Sequence, residues 1–230
     1  MRVPASRTEG KFYLLCLLLL CTGVTMAQAV APAGVQTGQD SKSVALRKYE
    51  VLKTRVMGSD LSVDWREFRL AAAMAEVDGG VNWQSSRELV LSDVDAGNLD
   101  RALVEAQRMI ARNMAAPQGH LLAMTVFQKL GRYDEAQREQ SIVAAIVKSI
   151  MSSGDGQSAQ KAWFTVSNGE EEFIVDIVLE AEARSHAQVR SNGHAFDEMT
   201  VVGDDGVEHI LWFNTDTGAQ IASAELRAAR

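Results

Sequence analysis

From Lys42 to about Ser152 the apolar residues return at helical spacing. Ala45, Leu46, Tyr49, Leu52 and Val56 fall on one face of a first helix, and Gly58 is its expected stop. Asp64, with Glu67 three residues on, is a capping-box-like start. The helix it opens carries the stripe Trp65, Phe68, Ala72 and Ala75. Gly79-Gly80 interrupts the pattern, and Ser85-x-x-Glu88 predicts another start. After the Gly-rich stretch Ser152 to Gly156 the period changes. Ala162 to Val166 reads as a strand, and Ser167-Asn168-Gly169-Glu170 as a helix cap. Glu170, Glu171 and Glu172 suit the positive end of that helix, whose predicted buried stripe is Phe173, Ile174, Ile177 and Val178. Three strands follow over 184–190, 195–202 and 207–214, joined by hairpin turns at Asn192-Gly193 and Asp204-Asp205-Gly206. Apolar residues on both alternating sets of the last strand predict that it is covered on both faces.

Within the helical region one pattern recurs. Gly97-x-Leu99-Asp100-x-Ala102 matches Gly131-x-Tyr133-Asp134-x-Ala136 in type, with the glycines 34 residues apart. This resembles the tetratricopeptide repeat, in which a glycine turns one helix into the next and a small residue lets the two backbones approach. Pro117 suits the first turn of the second unit's opening helix. Asp93 stands in the first unit where a large residue is usual. Two units are few for a stacked array, so the helices near Val44 and Asp64 are expected to add a third layer.

The N-terminus changes the picture of compartment. Arg2, Arg7 and Lys11 precede an unbroken apolar run from Phe12 to Cys21, and Ala27-Gln28-Ala29 is an A-x-A site. This is the secretory pattern, with residues 1–29 as signal peptide and 30–41 as a flexible lead. The run is too short to cross ~30 Å of hydrocarbon comfortably, so no stable membrane insertion is expected after cleavage. The chain is then exported, to the periplasm or outside the cell. Both cysteines, Cys16 and Cys21, leave with the leader, which excludes disulfides and thiolate chemistry from the mature chain. Three basic residues and Glu9 leave too, moving the net charge from −7 to −9. That excludes nucleic acid, whose phosphates need basic partners.

Chemistry-bearing templates are absent: the sequence holds no G-x-S-x-G elbow, H-E-x-x-H or P-loop. The Gly154-Asp155-Gly156 loop could aim a carboxylate and expose N–H groups to a ligand, or simply close the helix and start the strand. His194 and Asp197 could form an orienting pair, although positions i and i+3 on a strand point to opposite faces. His186 and His209 on different strands could share a face with Asp197 or Glu208 and hold Zn²⁺, or be ordinary sheet residues. Gly203 to Gly206 lacks the alternating ligands of a calcium loop and reads as a hairpin turn. The helical charges Arg101, Glu105, Arg108, Arg112, Glu135, Arg138 and Glu139 read as a solvated face, or some of them as the lining of a peptide groove.

The C-terminal third resembles a family of exported bacterial proteins known only as domain of unknown function number 4919. The resemblance rests on Ser153-Gly154-Asp155-Gly156, Ala162-Trp163-Phe164-Thr165-Val166, Glu171-Glu172-Phe173, Asn192-Gly193-His194-Ala195-Phe196-Asp197 and Trp212-Phe213-Asn214. His120-Leu121-Leu122-Ala123 and Leu130-Gly131 upstream fit the same pattern. Phe173 stands where a tyrosine would follow the paired acids, and 182–185 lacks an expected glycine. The resemblance implies fold and export, and no activity.

The sequence therefore predicts an α+β fold: a tetratricopeptide-like helical array over 42–153, a small, mainly antiparallel sheet with one helix over 154–216, and a peripheral tail helix over 217–230. The predicted function is a non-catalytic protein- or peptide-binding module without cofactor or metal, with His120, Met124, Phe127, Asp155 and His194 as contact candidates and Leu99 and Asn113 beside them. The alternatives are a metal-assisted hydrolase built on His186, His194, His209, Asp197 and Asp155, and a purely structural envelope component.

Overall fold

A computed structural model describes residues 33–78 and 83–216. The predicted leader and tail helix lie outside them. The fold is α+β, with helices first and a four-stranded sheet after them. The first helix, α1 (Ala33–Met57), opens earlier than the pattern at Lys42 suggested and takes in most of the stretch read as a flexible lead. It pairs with α2 (Trp65–Met74), whose N-cap Asp64 accepts the Glu67 N–H at 2.9 Å as the sequence predicted.

Two helix hairpins follow: α3 (Trp83–Asp95) with α4 (Leu99–Arg112), and α5 (Pro117–Lys129) with α6 (Tyr133–Met151). The helix read as starting at Ser85 is already formed at Trp83. Gly97 and Gly131 sit at φ +76° and +72°. In each turn the glycine N–H reaches back three residues and the next N–H reaches back five, so the last carbonyls of the helix are satisfied. Residues 55–60 and 72–77 use the same closure, but the left-handed residues there are Ser59 and Glu76. Gly58, the expected stop, is not the left-handed residue.

The sheet runs in the order β1-β4-β3-β2, with β1 (Trp163–Phe164), β2 (Glu182–Ser191), β3 (His194–Val202) and β4 (Glu208–Asn214). β2, β3 and β4 form an antiparallel meander, and β1 joins β4 in parallel. The Asn192-Gly193 turn has both residues at positive φ, the geometry that matches strand twist. β4 is not covered on both faces: Leu211 and Phe213 are buried, whereas Ile210 is exposed. Only one face of the sheet meets the main core, and β2 is exposed along nearly its whole length.

Between β1 and β2, Ser167 caps α7 (Asn168–Phe173), which runs into a π-helical turn, Ile174–Val178. The wider turn shifts the facing by one residue. Val175 turns inward with Ile174, and Ile177 and Val178, predicted to be buried, are more than one-third exposed.

There are two cores. One joins Tyr49, Phe68, Ile142, Ile146 and Ile150 of the helices to Trp163, Ile174, Val201 and Phe213 of the sheet region. The other fills the space between the hairpins with Val90, Ala102, Leu103, Ala106, Val126, Phe127 and Ala136. The first core crosses the predicted boundary at 153/154, so α1, α2 and α6 pack as one body with the sheet. Arg69, fully buried on α2, reinforces this junction. It makes a two-pronged ion pair with Glu170 of α7, both contacts 2.8 Å, and donates to Ser149 Oγ and the Phe164 carbonyl. Among the described residues no helix is long and apolar enough to cross a membrane.

Candidate functional site

Each of the chain's four histidines meets a different carboxylate. His120 faces Glu139, His186 faces Asp197, His194 faces Asp216, and His209 lies 3.7 Å from Asp205. The histidine-rich hydrolase constellation is therefore not assembled. β3 lies between β2 and β4, which keeps His186 and His209 apart, and His194 is taken by Asp216, not by Asp197.

The contact candidates fare differently from one another. His120 is fully buried in α5. Its Nε2–H donates to the Met114 carbonyl at 3.0 Å and its Nδ1 faces Glu139. Glu139, read as a surface charge, also accepts from Arg138, which reaches on to the Val56 carbonyl of α1. Met114 N–H donates to the Tyr49 hydroxyl, and burial pushes that phenol up to about 12. His120 is thus a buried cross-link, and the expectation that it contacts a partner is corrected. Phe127 is buried in the second core beneath the Arg132 guanidinium, and Met124 and Leu99 pack at the edge of that core.

Asp155 is exposed, but its loop serves the fold. The N–H groups of Asp155 and Gly156 both donate to the Lys161 carbonyl, and the Asp155 carboxylate accepts from Gln157 N–H beside the Lys161 ammonium. Those donors hold its pKa below the ordinary value. A Cβ on Gly154 would lie 2.1 Å from the Lys161 carbonyl oxygen, and one on Gly156 2.8 Å from the Trp163 ring. Close approach, not a ligand, explains both glycines.

Two other places are open to chemistry. The first is a cleft where α3, α5 and α7 meet. Two adjoining hollows of about 370 and 330 Å³ share Trp83, Gln118 and Gly169 in their walls. Gln118 Nε2 donates to the Gly169 carbonyl at 2.7 Å between them. One hollow is floored by Arg69, Asp78 and Asn113, the other by Leu121, Leu122, Phe173 and Ile177. Glu76, Asp78, Glu172 and Asp176 line the cleft with Arg87; Glu76 is paired with Lys42 and Arg112 lies beside Asp78, so Glu172 and Asp176 carry the rim's excess negative charge. Asp78 Oδ1 is buried without a partner, and burial raises that carboxyl's pKa.

The second is the core face of the sheet beneath α7. Cross-strand register puts Gln188, Asp197 and Phe213 in one row and His186, Met199 and Leu211 in the next. Glu171 of α7 points at Asp197 from above, and the Thr165 hydroxyl donates to Glu171 Oε1 at 3.0 Å. His186 Nε2 lies 3.0 Å from Asp197 Oδ2 and is partly exposed. Glu171 and Asp197 are buried, and each keeps one oxygen without a partner, Oε2 and Oδ1 respectively. Burial, and then the charge of Asp197, push the Glu171 carboxyl up to about 8. One donor atom from each of Glu171, His186 and Asp197 lies within 4.8 Å of the others.

Sequence reasoning named His186 and Asp197 but missed Glu171, which it assigned to the helix dipole with its two neighbours. The signal was present: Glu171 is three and four residues before the buried Ile174 and Val175, hence on their stripe. Comparison with family models, curated proteins and solved structures returns no match, so none of them bears on the resemblance drawn from the C-terminal motifs.

Proposed function

We propose that this protein is an exported, non-catalytic binding module that holds an extended peptide segment in the cleft between α3, α5 and α7. The observation that carries the reading is the orphan Asp78 oxygen in an acidic-rimmed hollow that adjoins an apolar one. A buried carboxylate oxygen without a donor favours a ligand that brings one. Glu172 and Asp176 on the adjoining rim add negative charge, so a lysine, an arginine or a peptide N-terminus is the matching donor. The apolar hollow beside it takes the neighbouring side chain. The two helix hairpins, with identical turns and glycines 34 residues apart, support reading them as tetratricopeptide-like units whose inner helices line a groove. The basic and apolar N-terminal run with its A-x-A site supports export, as does the resemblance to an exported family.

Selection from a random peptide display library tests the proposal. Enriched peptides should carry Lys, Arg or a free N-terminus next to an apolar residue. Leu121→Glu and Asp78→Asn should each weaken their binding by about tenfold or more, the size of one lost buried contact or charge-assisted bond. Absence of enrichment, or equal binding by both variants, overturns it.

A further inference from the structure

Glu171, Asp197 and His186 form a group that neither the helical cleft nor the fold accounts for. In native structures nearly every buried polar atom has a partner. Here two carboxylates from different elements, β3 and the helix above it, are pressed together and each leaves an oxygen open. These are two of the three such atoms among the described residues, and the third is Asp78 Oδ1 in the cleft. The sheet beneath them is lined by Met199, Leu211 and Phe213, and two ionised carboxylates cannot sit side by side there unless a proton or a cation stands between them.

We infer that Glu171, Asp197 and His186 bind one divalent transition-metal ion of the zinc type. The donor set of two carboxylate oxygens and one imidazole nitrogen is what such ions take. An ion about 2.1 Å from each donor holds its ligands roughly 3.4 Å apart in tetrahedral geometry. The His186–Asp197 contact of 3.0 Å is about 0.4 Å shorter than that spacing, and all three donors lie within 4.8 Å. The Thr165 hydroxyl orients Glu171 through its other oxygen, the kind of outer support that metal-binding carboxylates receive. The partly exposed His186 ring gives the ion its way in. Calcium does not suit the site, because it takes six to eight oxygens. The consequence is mechanical. β2 is a ten-residue edge strand, exposed on both faces, and His186 is its one metal-ligand side chain facing the core. An ion would fasten that edge to β3 and α7. Long open edges invite pairing with other chains, so the ion protects the sheet.

The test is titration of the chelator-treated protein with Zn²⁺, Mn²⁺ and Ca²⁺, followed by calorimetry and elemental analysis. One Zn²⁺ per chain is expected, with Mn²⁺ weaker and Ca²⁺ not bound. Glu171→Gln, Asp197→Asn and His186→Ala should each reduce Zn²⁺ affinity by about 100-fold or more, whereas His194→Ala and His209→Ala should leave it unchanged. His186 is exposed on an edge strand, so its variant folds whatever the acid substitutions do. No stoichiometric Zn²⁺, or Zn²⁺ binding that survives His186→Ala and Asp197→Asn, overturns the inference.

Discussion

The cluster of His120 and Glu139 and the cluster of His186, Asp197 and Glu171 use the same residue types in opposite ways. In the first, both imidazole nitrogens and both carboxylate oxygens have partners, and the network ties α5 and α6 to α1 through Arg138 and Met114. In the second, two acids face each other and two of their oxygens have no partner other than a proton held between them. A closed network rigidifies a fold, and an open one asks for a further species. The lesson is that a buried carboxylate beside a histidine does not by itself distinguish structure from function. The count of unsatisfied atoms around it does.

The comparison can be broken by mutation. The largest effect is expected at the closed cluster. His120→Ala leaves Glu139 Oε2 and the Met114 carbonyl without their buried partner, with only Arg138 still on Glu139, and should cost about 3–5 kcal/mol in urea unfolding. A loss under 1 kcal/mol, on the order of an exposed pair, would erase the distinction.

At the open cluster the expected sign is reversed. Folded Glu171 keeps its proton to about pH 8, while in the unfolded chain it releases it near ~4.3. Between those values the folded state binds more protons, so this residue makes stability fall as pH rises through the window. Glu171→Gln keeps a hydrogen-bond donor toward Asp197 without the charge. In chelator-treated protein at pH 9 it should therefore stabilise the fold by about 1–2 kcal/mol. Equal or lower stability of the variant at pH 9 would show that the acids do not oppose each other.

The smallest effects lie in the four identical helix closures. Ser59→Gly should gain about 0.5–1 kcal/mol, because serine stands at φ +68° where glycine is unstrained. Gly97→Ala, with nothing within 4 Å of the added Cβ, should lose a similar amount through φ alone. Unchanged melting temperatures for both would remove the turns from the stability account.

Much of this arrangement was legible in the residues. Glycines at 97 and 131, the cap at Asp64 and the Asn192-Gly193 turn each have a local cause, and local causes can be read along a chain. The cross-element facts could not be read this way. Glu170, Glu171 and Glu172 are adjacent and look alike, yet one grips Arg69, one faces Asp197 and one lines the cleft. Their fates depend on a helix only six residues long docking on a sheet, and on a π-helical turn that no period announces. The dispersal of the histidines depends likewise on strand order, which alternation within each strand does not specify.

Anomalous diffraction at the zinc edge, from crystals grown with Zn²⁺, tests the distinction between the open and closed clusters most directly. The account predicts one strong peak about 2.1 Å from donor atoms of Glu171, Asp197 and His186, and none beside His120 and Glu139. A map with no peak at the first cluster, or with a peak at the second, would contradict it.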